Sequence, residues 1–186
     1  PRGPLAKPKS LKSADIEMSS DNLDSWALLP TKPDWAGGLR DTWNVSEATA
    51  HERADEFMSS ALFSYCAARD IPSVDGTSAM SPFLRWGQIS PYQLWAKARK
   101  AAHGRESEST ETYRKEVVWR EFSYHLLYHF PDIGTKNHQP KFDRFPWRSA
   151  AEHGEELLAW EMGRTGYPIV DAGMRQLYET GWMHNR

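Results

Sequence analysis

A single cysteine, Cys66, among 186 residues excludes a disulfide framework and any cysteine-rich metal cluster, and makes a reducing compartment the expectation, the cytoplasm if the source is bacterial. No apolar run approaches the length needed to span a bilayer, so no membrane partner is expected. Charge of one sign is also lacking: 23 Lys and Arg face 25 Asp and Glu, for a formal net charge of −2. The sequence contains no Gly-x-Ser-x-Gly elbow, no Walker loop and no GxGxxG, which leaves standard hydrolase and kinase chemistry without a foothold. His125 and His129 stand four apart but without the Glu of HExxH or an evident third ligand, so they read as core or surface histidines and no metal is expected. There is no initiator Met, signal peptide or transit-like leader, and the chain reads as a portion of something longer.

What is present is aromatic: nine Trp and seven Tyr, within 39% hydrophobic and 26% charged residues, a balance that supports one packed domain. Residues 1–45 read as a linker, broken by Pro1, Pro4, Pro8, Pro30 and Pro33 and followed through Gly37-Gly38 without sustained apolar periodicity. Between 61 and 105, six cations (Arg69, Arg85, Lys97, Arg99, Lys100, Arg105) face only Asp70 and Asp75, so the near-neutral whole hides one basic stretch.

From residue 46 onward the periodicity is helical. Ser46 is a plausible N-cap for a helix carrying Ala50, Ala54, Phe57, Met58, Ala61, Leu62 and Tyr65 on one face and ending at Asp70-Ile71-Pro72. Ser81-Pro82 and Ser90-Pro91 each predict an N-cap with proline at the first helical position, stopped by Gly87 and Gly104. A long helix over about 110–130 is expected to turn Val117, Val118, Phe122, Leu126 and Leu127 inward. Two more follow, at about 153–162 and from Pro168 to Gly181 with Val170, Met174 and Leu177 in phase. No alternating strand with a hairpin signal occurs, so the fold class is all-α.

Two constellations could carry chemistry. Thr77-Ser78-Ala79-Met80-Ser81 packs three hydroxyls at the mouth of a helix, where free N–H groups suit a phosphate; equally, the hydroxyls could simply cap and turn the chain. Glu116, Trp119 and Arg120 fall three and four apart, and a carboxylate, a flat aromatic and a guanidinium on one face would suit a planar hydrogen-bonding heterocycle. The plainer alternative is a Glu116–Arg120 pair beside a half-buried Trp. Cys66, with no neighbouring His, reads as an inert buried thiol.

The blocks Tyr65…Arg69-Asp70-Ile71-Pro72, TSAMSP (77–82), WREF (119–122), FPW (145–147), GRTGYPIVDAGMRQL (163–177) and GWMHNR (181–186), in this order, resemble the flavin domain of the photolyase/cryptochrome family. The resemblance covers about residues 25–186. It implies a helical FAD-binding and catalytic domain whose N-terminal portion is residues 46–186, with an α/β domain holding a folate or deazaflavin antenna chromophore expected outside these residues.

By the same resemblance Tyr65, Thr77, Ser78, Ala79, Met80, Ser81 and Tyr113 would contact FAD. Glu116 would hydrogen-bond the damaged base, Trp119 would stack on a cyclobutane pyrimidine dimer and Asn185 would touch it. Arg69, Arg120 and Arg186 would lie on or beside the DNA-facing surface. Trp147 would end a chain of tryptophans that carries electrons to photoexcited flavin. Plant cryptochromes replace the Trp of WREF and carry Asp in the HNR block, while (6-4) photolyases and animal cryptochromes carry His at its Asn, so Trp119 and Asn185 resemble a dimer-repair enzyme. Ala79 replaces an Arg, and Tyr113 a Trp, found in some relatives. The implied function is light-driven splitting of pyrimidine dimers in damaged DNA by a monomeric photo-lyase that uses reduced FAD. A blue-light photoreceptor and an inactive truncated piece are the alternatives; the 186 residues alone are expected to bind FAD poorly.

Overall fold

Every regular element among residues 2–186, the part of the chain described by the computed structural model, is helical; Pro1, read above as a linker proline, lies outside the described residues. In chain order the α-helices are α1 (Gly37–Thr42), α2 (Glu47–Ser59), α3 (Tyr65–Ala68), α4 (Ser81–Arg85), α5 (Pro91–Ala102), α6 (Glu108–His129), α7 (Gly154–Glu161) and α8 (Pro168–Thr180). Single 3-10 turns occupy Leu23–Trp26, Ala61–Ser64, Pro131–Gly134 and Pro140–Arg144. No described helix is long and apolar enough to cross a membrane.

Serines start the three principal helices. The Ser46 hydroxyl accepts from the Thr49 N–H at 3.0 Å and caps α2. Ser90 and Gln93 form a reciprocal capping box at α5, with Pro91 at the first position, where its missing N–H costs nothing. Ser107 and Thr110 do the same for α6, which therefore begins two residues before the apolar periodicity predicts. At the other end of the chain Gly181 closes α8 in the left-handed conformation, φ 69°.

Four expectations are corrected. The helix from Ser46 does not run through Tyr65: the Ser59 and Ser60 hydroxyls both turn back onto the Glu56 carbonyl, and the chain breaks at Ser60 into a 3-10 turn and the short α3. Ser81 is not an N-cap, because Met80 holds that place and α4 is only one turn long. The segment read as linker contains α1, which packs against α8. On α6 only Val117 of the five predicted inward residues is buried; Val118, Phe122 and Leu127 are exposed and Leu126 is half-buried.

The core sits where α2, α5 and the first half of α6 meet, with Leu62, Phe83, Ile89 and Leu94 wholly enclosed, each contributing on the order of 1.5–3 kcal/mol by leaving water. Thr110, also enclosed, costs little because its hydroxyl bonds the Ser107 backbone as donor and acceptor. Trp43 carries this core to the C-terminal helices: its ring meets Phe83 edge-on at 5.8 Å while its Nε1–H donates to the Thr180 carbonyl at 2.6 Å. The 163–175 block is stitched to itself. Asp171 accepts from the Thr165 N–H at 2.7 Å, the Thr165 hydroxyl at 2.6 Å and the Gly166 N–H at 3.0 Å, and Arg175 donates to the Gly163 carbonyl at 3.0 Å. Those donors, the Thr165 hydroxyl first, hold the Asp171 carboxyl below its usual range.

A glycine sets the distance between α1 and α8, since a Cβ at Gly38 would lie 2.3 Å from the Glu179 carbonyl oxygen. Gly38→Ala is therefore expected to lower the urea unfolding midpoint of the full-length protein by an amount equivalent to about 1–3 kcal/mol. Gly37→Ala, with open space around its Cβ, should leave the midpoint unchanged or slightly raised.

Candidate flavin and lesion site

Two tyrosines form a buried wall. Tyr65, at the start of α3, and Tyr113, on α6, are both buried and meet edge-on at 5.4 Å; Phe57 of α2 closes the group at 5.9 Å and 4.7 Å from them. Burial pushes the Tyr113 phenol up to about 12, with the Ser78 hydroxyl acting weakly the other way. Burial likewise raises Tyr65, opposed by the Arg69 guanidinium 5.2 Å from its ring centroid.

The hydroxyl segment 77–81 runs past this wall. Gly76 packs so closely on Ala68 that a Cβ there would lie 2.4 Å from the Ala68 Cβ, which brings the segment in against α3. Ala79 takes a left-handed φ of 48°, a conformation disfavoured for a residue with a Cβ, and Arg53 of α2 donates through Nε to the Ser78 carbonyl at 3.1 Å. Thr77, Ser78 and Ala79 are half-buried, Met80 is buried and Ser81 exposed. Because α4 has five residues, its dipole offers little to an anion; hydroxyls, backbone and the Arg53 guanidinium are what the segment provides. The strip therefore sets hydroxyls, backbone groups and one guanidinium beside the buried aromatic cluster.

Beyond Tyr65 lies a chain of charges. Arg69 donates through Nη1 to Glu116 Oε1 at 2.5 Å and faces Asp70 Oδ1 with Nε at 3.4 Å; Arg186 meets the same Oδ1 through its own Nε at 2.5 Å. Glu116 holds Arg69 protonated above its ordinary range, and Arg186, ahead of Arg69, holds Asp70 below its own. Residues 47 and 116 positions apart in sequence are thus joined.

The predicted α6 face does not act as one. Glu116 turns to Arg69, whereas Arg120 pairs with Glu121 at 2.8 Å, stacks over Tyr124 and reaches the Leu84 carbonyl, so the anticipated Glu116–Arg120 pair does not form. Trp119 is 60% exposed and borders a groove of about 700 Å³ with Trp95, Val118 and Phe122, meeting Phe122 edge-on at 5.6 Å. Asn185 and Arg186 line a separate hollow of about 530 Å³ with Pro72, Ile169 and Met174. Trp147 stands 63% exposed, its Nε1–H bonded to the Phe142 carbonyl at 2.9 Å and its ring 4.7 Å from Phe145. Cys66 is half-buried rather than enclosed, its Sγ donating to the Thr112 hydroxyl at 3.3 Å. Among the described residues no group of three or more His, Cys, Asp or Glu side chains is placed to hold a metal ion.

Residues 113–186 match the family model described as the FAD binding domain of DNA photolyase. Over all 186 residues the sequence is 46% identical to a deoxyribodipyrimidine photo-lyase of Agrobacterium fabrum, of which it spans 38%. It is 40% identical over 198 residues, covering 98% of this chain, to the Synechococcus protein of that name, of which it spans 39%. The chain carries part of the FAD-binding domain of the photolyase family. Its coordinates superpose on a bacterial class III photolyase from Agrobacterium tumefaciens with a TM-score of 0.88 at 46% identity, over 96% of this chain and 36% of that one. A Synechocystis cryptochrome follows at 0.64 and 27% identity, over 77% and 30%.

Within this photolyase-family domain the structure brings Tyr65, Tyr113, Arg69, Glu116 and Arg186 into one contiguous cluster, leaves Asn185 exposed on the hollow it shares with Arg186, and sets Trp119 and Trp147 at separate exposed places. Two participants escaped the sequence reading. Arg53 is an ordinary helix cation until its contact with Ser78 is seen, and Asp70 stands in the sequence within the Arg69–Pro72 block without a role of its own.

The raised Tyr113 pKa has a signed consequence. An unfolded tyrosine releases its proton near pH 10 and the folded one near 12, so the stabilisation is complete below pH 10 and is lost as pH rises from 10 to 12. In alkaline unfolding of the full-length protein, Tyr113→Phe should remove a pH-dependent loss of about 2–3 kcal/mol across that window. Parallel curves for the two proteins between pH 10 and 12 would show that the phenol ionises freely in the fold.

Proposed function

We propose that the full-length protein is a light-driven DNA-repair enzyme that splits cyclobutane pyrimidine dimers, with residues 46–186 contributing to its flavin and lesion site and residues 1–45 forming an interdomain connection whose last helix, α1, docks on α8. The observation that carries this reading is the convergence of Glu116, Arg69 and Arg186 from distant parts of the chain, above the buried Tyr65 and within one helical turn of the exposed Trp119. FAD, when bound in its reduced form, would supply light-driven one-electron chemistry for opening the dimer ring. Tyr65, Tyr113 and the hydroxyl strip 77–81 would bind and orient that cofactor.

The protein's own part is recognition and positioning. A dimer must leave the helical stack to reach a buried cofactor, and its weakened pairing lowers that cost. Trp119 offers the flipped bases a flat face. Arg69 occupies Oε1 of Glu116, which leaves Oε2 to accept a hydrogen bond from a base N–H. Asn185 would add a neutral donor and acceptor at the lesion's far edge, and Arg69, Arg120 and Arg186 the positive charge that flanking phosphates require, so affinity should fall with salt. The likeness to a cryptochrome motivates the second reading, a blue-light receptor. Loss of thymine dimers from an irradiated oligonucleotide only in the light separates the two; flavin photochemistry without that loss would favour the receptor.

Trp119→Ala is expected to weaken binding to dimer-containing DNA by about 1–3 kcal/mol, the value of one base–aromatic stack, with flavin retained in the absorption spectrum. Equal affinities would take Trp119 out of the lesion site. Trp147→Phe should slow photoreduction of oxidised flavin and leave dimer splitting by chemically pre-reduced enzyme nearly unchanged. Photoreduction at the wild-type rate would reduce Trp147 to a surface packing residue.

A further inference from the structure

Asp70 belongs to none of the roles above, yet it is the residue that joins the two arginines. Its Oδ1 faces Arg69 Nε at 3.4 Å and Arg186 Nε at 2.5 Å, while the other side of the Arg69 guanidinium is engaged by Glu116 at 2.5 Å. Two guanidinium groups brought this close repel each other, and a shared carboxylate between them removes that penalty and sets their separation. The backbone supports the position. Ile71 N–H bonds the Ala68 carbonyl at 3.1 Å and Arg69 N–H the Tyr65 carbonyl at 2.9 Å, so Asp70 is carried on a fixed turn at the end of α3. Both Asp70 and Arg186 are about half exposed, and a pair of that kind adds little to folding stability. Its consequence lies in where the charges are held.

We propose that Asp70 is a positioning residue that sets the site's preference for damaged over undamaged DNA, by clamping Arg69 and Arg186 together and withholding part of their charge from ordinary backbone phosphates. This rests on the lesion-binding reading above. An undamaged duplex, which presents its backbone phosphates and no flipped lesion, meets two arginines already shared with a carboxylate and an adjacent negative charge. A dimer delivered into the site meets guanidiniums held at fixed places, one of them locked against Glu116. Removing the Asp70 charge therefore frees the arginines for indiscriminate contacts and loosens their geometry at the lesion.

The test compares equilibrium binding of the full-length flavoprotein to matched duplexes with and without one thymine dimer. Asp70→Asn should raise affinity for undamaged duplex about two- to fivefold, a surface charge contact's worth, and lower the damaged-to-undamaged ratio by at least that factor, with the flavin spectrum unchanged. Asp70→Glu, which keeps the charge, should restore most of the ratio. In an Arg186→Gln background the Asp70→Asn effect on the ratio should shrink to less than half, because the clamp has lost one of its arms. Asp70→Ser reads the same ratio should asparagine disturb the turn before Pro72. An unchanged ratio in whichever variant retains flavin, or full additivity with Arg186→Gln, overturns the proposal while leaving lesion binding intact. A wild-type protein with no preference for the dimer removes the lesion-binding reading itself, and this inference with it.

Discussion

The burial of Tyr113 against Phe57 and Tyr65 is the contact on which the rest of the site depends. Three helices contribute one ring each, and this packing, with Thr110 and Val117 on the same arc, fixes the rotation of α6 about its axis. With Tyr113 turned inward, Glu116 emerges three residues later beside α3, where Arg69 waits, and Trp119 emerges a further turn along, facing water. The same rotation leaves the phenol in surroundings that resist its ionisation. Helix α6 is thus anchored by its first half. Its second half carries Phe122 and Leu127 at the surface, an arrangement that the capping and core of the first half can support without their burial.

Electrostatics then acts on a scaffold already built. The Glu116–Arg69–Asp70–Arg186 series alternates in sign, so each charge has an opposite neighbour and the cluster as a whole is neutral. Its members range from an Arg69 side chain 16% exposed to an Asp70 side chain 55% exposed. The inner end is therefore worth more to geometry, where screening is weak, and the outer end more to the response toward an incoming polyanion, where salt competes. The proposed lesion site would use both: a fixed contact near the lesion and a surface whose attraction for DNA is restrained.

Local chemistry was largely legible in the chain. Ser46, Ser90 and the glycine after α8 begin and end helices where side-chain hydroxyls and a left-handed residue say they should, because caps act over three or four residues. The misreadings have equally local and physical causes. Apolar periodicity continues smoothly through Ser59-Ser60, but their hydroxyls compete for the Glu56 carbonyl and end the helix. On α6 the apolar residues are too evenly distributed for periodicity to indicate which arc would be covered, and the choice fell to Tyr113, Thr110 and Val117.

By itself, then, the sequence determined the all-α class, the capped starts of α2 and α5, and the flavin-domain resemblance carried by ordered motifs. Partner choice among charges was decided only by tertiary structure. Glu116 could as well have paired with Arg120 one turn away, and nothing in the spacing favours Arg69, which lies 47 residues earlier. A helical pair at i and i+4 is worth only a few tenths of a kcal/mol. The packing of α3 on α6, driven by three buried rings, is worth far more and imposes its own pairing. Asp70 shows the same order of causes, since its role exists only once residue 186 has been folded back against the end of α3.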